Sequence, residues 1–313
     1  MKQLVIQIFC FCILSFSTNG IEAQLISTAD LKKLQQKEDS LSAFTKNLLN
    51  DSATSGRMRS DSQFVRTFVR SLQIKNSFYY PFDSLQGISK IFSPDSSFKI
   101  FTWYLQYDDY YGRQRGFIQM RTKDGSLKGF PLRDNSEFTE SPNTIVCRDT
   151  SWIGAVYYNI IKTQHLNKNY YTLFGYDYHS VRSNKKWIEV LTFGENGSPI
   201  FGGNFFNFQE DSLPKSPLHR YSIEYKKDAN IFLNYVPELS KILQAHLVSE
   251  TDEPQNAWTM IPDGDFEGFK WLNGKWIHIE KVNTDIEEEG DAPLTNQVVI
   301  DKKNLSKSSK SKK

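Results

Sequence analysis

The segment YDYHSVRSNKKW, from Tyr176 to Trp187, gathers Asp177, His179, Arg182, Lys185 and Lys186 into one short stretch. A carboxylate, an imidazole and three cations side by side can grip a polar ligand. Polar residues on a loop that a rigid sheet holds in place are where sites concentrate. Asp177, His179, Arg182 and Lys186 are therefore the candidate ligand-binding residues, with Lys185 beside them; the plain alternative is a solvated turn.

Other patterns fall short of chemistry. IPDGDFEGF sets Asp263, Asp265 and Glu267 at alternate positions beside Gly264, like the start of a calcium loop. Such a loop needs a bidentate Glu at its twelfth position, which here is Gly274, so an Asp-Gly turn is the reading and no metal is expected. Ser96 to Lys99 and Ser183 to Lys186 match Ser-x-x-Lys, yet neither opens a predicted helix as that nucleophile motif requires. Gly-x-Ser-x-Gly, His-Glu-x-x-His, the phosphate loop and the dinucleotide fingerprint are all missing from the sequence, so no cofactor is expected. His165, His179, His219, His246 and His278 lack ligand spacing, and Cys147 reads as a small buried hydrophobe. Carboxylate-pair hydrolysis needs only two acids that meet in space, and Asp177 and Asp265 are the first two to test.

The elements that must position these residues are legible in the periodicity. Residues 27–50 place Leu31, Leu34, Leu41, Phe44 and Leu48 on a helical stripe, with Ser27 or Thr28 as N-cap. DSATSGRMRSD breaks that pattern. A second helix follows with Phe64, Val65, Phe68, Val69 and Leu72 on one face and Asp61 as its expected cap. The narrow stripes favour docking on the main body over a free stalk.

From Phe78 to about Val282 the period is two and the composition turns to Tyr, Phe, Ile, Val and Trp. Roughly a dozen candidate strands alternate with Gly, Pro, Asn and Asp clusters, the pattern of a mainly β sandwich, barrel or propeller built from antiparallel meanders. KDGS (123–126), ENGS (195–198) and LNGK (272–275) each centre on Asp-Gly or Asn-Gly and predict two-residue hairpins. Counting outward sets Pro131 opposite Ile118, Pro199 opposite Gly194, Trp271 opposite Trp276 and His278 opposite Phe269. In NYYTLFGYDYHSVRSNKKWIEVLTF both flanking strands are apolar on both faces. That describes a central pair covered above and below, so most of its rings are core.

MKQLVIQIFCFCILSFSTNGIEAQ reads as a secretory signal peptide cleaved after Ala23, with a retained anchor as the alternative. Cleavage leaves Cys147 as the lone thiol, so the exported protein holds itself together by its core. Export to a periplasm or beyond follows, with no transmembrane span in the mature chain. The chain carries +2 in total; with six lysines after residue 301, the body from 24 to 301 carries −4. A mildly acidic body with a basic tail does not suit nucleic acid. The organisation expected is a signal peptide over 1–23, a helical segment over 24–75, a β-rich domain over 76–283 and a disordered tail over 284–313, with a short strand at 297–300.

FSPDSSFKIFTWY (92–104) resembles one repeat of the periplasmic propellers, and it occurs once. More broadly, YYPFDSLQGISKIFSPDSSFKIFTW, YYTLFGYDYHSVRSNKKWIEVLTF and IPDGDFEGFKWLNGKW resemble an uncharacterised family of exported Bacteroidetes proteins over about 78–282. That resemblance implies export and carries no assigned activity. The function expected is non-catalytic binding in the envelope, of a glycan or another protein, through an aromatic-lined surface. The alternative is a carboxylate-dependent hydrolase acting on envelope glycans.

Overall fold

The computed structural model describes residues 25–108 and 110–283. The N-terminal apolar run and the Lys-rich tail lie outside the described residues, and so does the strand expected at 297–300. Helix α1 (Thr28–Asn50) starts at Ser27, whose hydroxyl accepts from the amide of Asp30, and it buries Leu34, Leu41 and Leu48. Helix α2 (Thr54–Leu72) buries Phe64, Phe68 and Leu72. It begins seven residues before Asp61, so the expected cap is a correction. The Arg57 guanidinium donates to the carbonyls of Asp51, Gln106 and Tyr107, which fixes the first turn against the sheet. Tertiary contact thus overrides the weak helix propensity of the Ser- and Gly-rich stretch. Asp61 lies mid-helix and buried; it accepts from Trp103 Nε1 at 3.1 Å and pairs with Arg115 at 2.9 Å.

Sixteen strands follow among the described residues. In the first sheet β1 (Ile88–Phe92), β2 (Phe98–Gln106), β3 (Gly112–Met120) and β4 (Lys128–Arg133) form a meander in chain order. The second holds β5 (Cys147–Arg148), β6 (Val156–His165), β7 (Lys168–Asp177), β8 (Ser183–Phe193) and β9 (Pro199–Phe201), ordered β5-β9-β8-β7-β6. The chain then crosses to the third sheet for β10 (Phe206–Phe208) and β11 (Lys215–Leu218). It returns for β12 (Arg220–Lys226), which pairs with β8. It ends in the third sheet with β13 (Leu233–Val236), β14 (Lys241–Ser249), β15 (Met260–Leu272) and β16 (Lys275–Ile279). Pairing between strands is antiparallel except for β10 with β16. Among the described residues no helix is long and apolar enough to cross a membrane.

Three cores show how the sheets stack. Phe64, Phe68 and Leu41 of the helices meet Phe101, Trp103 and Leu105 on the outer face of the first sheet. Its inner face, with Phe98, Ile100 and Ile118, meets Tyr171, Leu173, Trp187 and Leu191 of the second. The other face of the second sheet, with Phe174, Ile188 and Val190, meets Phe206, Ile242, Phe269 and Trp276 of the third. The molecule is therefore a helical layer followed by three β layers. The β7–β8 pair lies in the middle, covered on both faces as its composition requires. Gly175 is the small residue this demands: a Cβ there would come 2.7 Å from Ala155 Cβ.

The hairpins divide by backbone chemistry. At LNGK both Asn273 and Gly274 have positive φ, the two-residue type I′ geometry, and Trp271 faces Trp276 and Phe269 faces His278 as counted. At KDGS and ENGS only Gly125 and Gly197 have positive φ. A type I turn ending in a left-handed Gly adds one residue to the loop. Register slips by one: Pro131 faces Phe117 and Pro199 faces Phe193. β4 is nonetheless an edge strand, and β5 pairs only with Ile200 and Phe201, so among the described residues neither proline has a paired strand on its outer side.

Buried charged groups tie strands and entering segments together. Arg220 and Glu189, directly opposite across β12 and β8, are 0% and 1% exposed and meet at 2.7 Å. Glu189 also accepts from the Tyr157 hydroxyl, which in turn accepts from Trp152 Nε1 at 2.7 Å. Arg220→Met would strand that carboxylate and is expected to destabilise the fold by about 3–5 kcal/mol in urea unfolding, whereas Glu189→Gln combined with it should recover part of the loss. Lys99, fully buried, donates to the carbonyls of Phe78 at 3.0 Å and Tyr80 at 2.8 Å, within a box of Phe78, Phe82, Phe92 and Phe101 rings. Burial, helped by the charge of Lys90, pushes its pKa down from 10.5 to about 7. Between those values the unfolded chain holds the proton and the folded one has released it, so this group's contribution to stability rises with pH. Unfolding free energy measured from pH 7 to 10 is expected to climb more steeply in the wild type than in Lys99→Met; parallel profiles would contradict this.

Candidate functional site

Register builds the site. Asp177 closes β7 and faces Lys185 on β8, and Lys185 in turn faces Glu224 on β12. An acid–base–acid row therefore crosses three adjacent strands at one end of the middle sheet. Opposite charges at directly paired positions stabilise such a row. The chain leaves β7 through His179, whose φ of 43° turns the imidazole back over the row. Its Nδ1 lies 3.7 Å from Asp177 and its Nε2 3.4 Å from Glu224. Asp177 also accepts from the His179 amide at 2.9 Å and from Gln114 Nε2 at 2.7 Å, so β3 of the first sheet joins the site.

Electrostatics fix the protonation states. The two carboxylates, Asp177 first and then Glu224, raise His179 to about 9 against the opposing effects of burial and Lys185. Burial pushes Glu224 up, but hydrogen bonds from His179 and Ser183, with the charges of His179 and Lys185, hold it at about 2. At neutral pH the cluster is an imidazolium held between the ionised Glu224 and the carboxyl group of Asp177.

Over this cluster opens a cleft of about 370 Å³ between the first and second sheets. Its walls include Tyr104, Tyr110, Tyr111 and Trp187 beside Gln114, Asp177, His179 and Lys185. A second cavity of about 300 Å³ shares Tyr104, Tyr110 and His179 and extends to Tyr178, Lys227 and Leu49 of α1. Tyr104 and Tyr178 lie ring to ring at 4.6 Å. Gly112 is where a Cβ would collide with the Tyr104 hydroxyl, at 2.1 Å. Tyr110 is 75% exposed at the rim, whereas Trp187 is buried and its indole N–H has no partner among the described residues.

The sequence-derived candidates do not stay together. Asp177, His179 and Lys185 meet. Lys186 points through the other face of the sheet to the carbonyl of Ile231 at 2.6 Å, because adjacent strand residues face opposite ways. Arg182 lies outside as well, its guanidinium 5.4 Å from the Trp258 ring. Gln114, Glu224 and the tyrosines of β2 and the β2–β3 loop join the cluster in space, and local reading missed them. Strand alternation separates the two lysines in advance; nothing local announces Glu224, which comes from a strand far along the chain.

The remaining candidates resolve separately. The Asp263 segment is part of β15: Asp263 pairs with His246 at 2.7 Å, Asp265 with Lys281 at 3.1 Å, and Glu267 with His278 at 3.3 Å. Asp265 is thus on the third sheet, away from Asp177. Among the described residues no three His, Cys, Asp or Glu side chains are grouped to hold a metal ion. Cys147 is buried, and burial pushes its thiol pKa up.

Compared with known protein families, curated proteins and solved structures, the chain matches none. The geometry stands alone as the guide to function. In a proton titration followed by NMR, the His179 imidazole is expected to titrate near 9, and Glu224→Gln or Asp177→Asn should bring its midpoint down; a midpoint near 6.5 in the wild type would contradict the clamp.

Proposed function

We propose that the protein is an exported, non-catalytic envelope protein that binds a glycan in the Tyr104–His179 cleft. The observation that carries the reading is the pairing of exposed rings with polar groups whose orientations are already fixed. A sugar offers an apolar C–H face, which suits the electron-rich face of Tyr110 or Tyr111, and a hydroxyl edge, which suits oriented donors and acceptors. Gln114, Asp177, His179 and Lys185 supply those. Sites of this kind are concave, largely preformed and carry few polar groups. Export rests on the apolar N-terminal run with its short polar flank, and on the lone buried thiol of the remaining chain.

The hydrolase alternative is less well supported. It needs one carboxyl that keeps its proton and a second within about 5–10 Å. The pair named from the sequence does not meet: Asp177 ends β7 of the middle sheet, whereas Asp265 lies on β15 of the third.

Calorimetric titration with envelope oligosaccharides, including peptidoglycan fragments, tests the reading. Binding is expected in the wild type, with a loss of roughly two- to tenfold for Tyr110→Ala or Tyr111→Ala, the scale of one ring contact. Uniform failure to bind would overturn the proposal, and so would new reducing ends in the recovered sugar.

A further inference from the structure

The opposite face of the middle sheet carries a further cavity, of about 350 Å³, between the second and third sheets. Its floor is apolar and buried: Ile231, Leu233 and Ala245 are 2%, 2% and 6% exposed. Tyr158, Phe232, Pro262 and Phe266 complete the walls, and Asn230, Gly264 and Asp265 stand exposed at the mouth. Into this setting β8 sends Lys186. It faces Tyr176 on one side and Ile223 on the other, so its own sheet gives it no acid.

Lys186 differs from its neighbour in one respect. Lys185 meets Glu224 at 3.4 Å, whereas no carboxylate lies within ion-pair distance of Lys186 among the described residues. Its ammonium donates to the carbonyl of Ile231 and lies 5.4 Å from the Tyr158 ring centre. Among the described residues the one acid on the cavity, Asp265, is at the mouth and is paired with Lys281 at 3.1 Å. A cation in an apolar setting without a counter-charge is costly unless something supplies one. Burial accordingly pushes Lys186 down to about 8.

We propose that this cavity is a binding site for a small apolar carboxylate, whose chain lies on Ile231, Leu233 and Phe266 and whose carboxylate pairs with Lys186. The occupant follows from charge and shape together: an apolar wall needs an apolar body, and a lone ammonium needs one anion. This site is separate from the aromatic cleft, because Lys185 and Lys186 project to opposite faces of the same strand.

The test uses the whole protein and three probes of equal chain length, octanoate, octanol and octylamine, followed by calorimetry or NMR line shifts. Octanoate is expected to bind about tenfold or more tighter than octanol, the scale of a charge-assisted hydrogen bond, and octylamine not to bind. Lys186→Met should erase the preference for octanoate and Lys186→Arg should keep it, with near-ultraviolet circular dichroism confirming that each variant is folded. Should the methionine variant fail to fold, a pH series on the wild type decides: octanoate affinity is expected to fall as pH rises through 8. Tyr110→Ala should leave octanoate binding unchanged, which separates this site from the glycan cleft. Equal affinity for octanol, no loss in Lys186→Met, an affinity flat with pH or no binding of octanoate would each overturn the proposal.

Discussion

β7 and β8 present rings and branched side chains to both sides of the middle sheet, and neither face can be left to water. Tyr171, Leu173, Trp187 and Leu191 require the first sheet above them, and Phe174, Ile188 and Val190 require the third below. The first sheet then has an outer apolar face of its own, with Phe101, Trp103 and Leu105, and the two helices cover it. Layer order is thus a sequence of obligations that begins at one strand pair. Each layer is needed because the one beneath it is apolar on both sides.

Polar groups fix how the layers sit. Glu189 and Arg220 lock β12 onto β8 within the first interface, Asp61 holds α2 to Trp103 and Arg115, and Lys99 binds the carbonyls of the segment entering the first sheet. A buried pair of this kind need not add much net stability, but breaking it is costly, so it favours one arrangement over alternatives. Where the middle sheet runs out, the same alternation that fills the cores leaves charges at its end. Lys185 turns toward the first sheet and Lys186 toward the third. One strand end therefore furnishes two cavities of different character.

How much of this was legible beforehand depended on how local the cause was. Both helices, the β-rich middle and the double-sided burial of β7 and β8 follow from periodicity. The Trp271–Trp276 pair follows from Asn-Gly turn chemistry, since Asn tolerates positive φ. The two one-residue slips arise because Asp-Gly and Asn-Gly also fit a type I turn ending in a left-handed Gly, and the loop's surroundings choose between them. At the first hairpin the Gly125 carbonyl accepts from the Asn76 amide, a contact from outside the hairpin. Asp61 looked like a cap because its partners, Trp103 and Arg115, are distant in sequence. For the same reason Asp177 and His179 were visible as candidates while Glu224 and Gln114, which complete their clamp, were not.

The central claim is that the β7–β8 pair is the enclosed middle of the stack. Native-state amide hydrogen exchange followed by mass spectrometry reports on it most directly, since protection tracks how much structure must open around each strand. The account predicts that amides of 171–175 and 187–191 exchange last, later than those of α1 and of β15 and β16. Exchange in β7 and β8 as early as in the helices or the third sheet would contradict it.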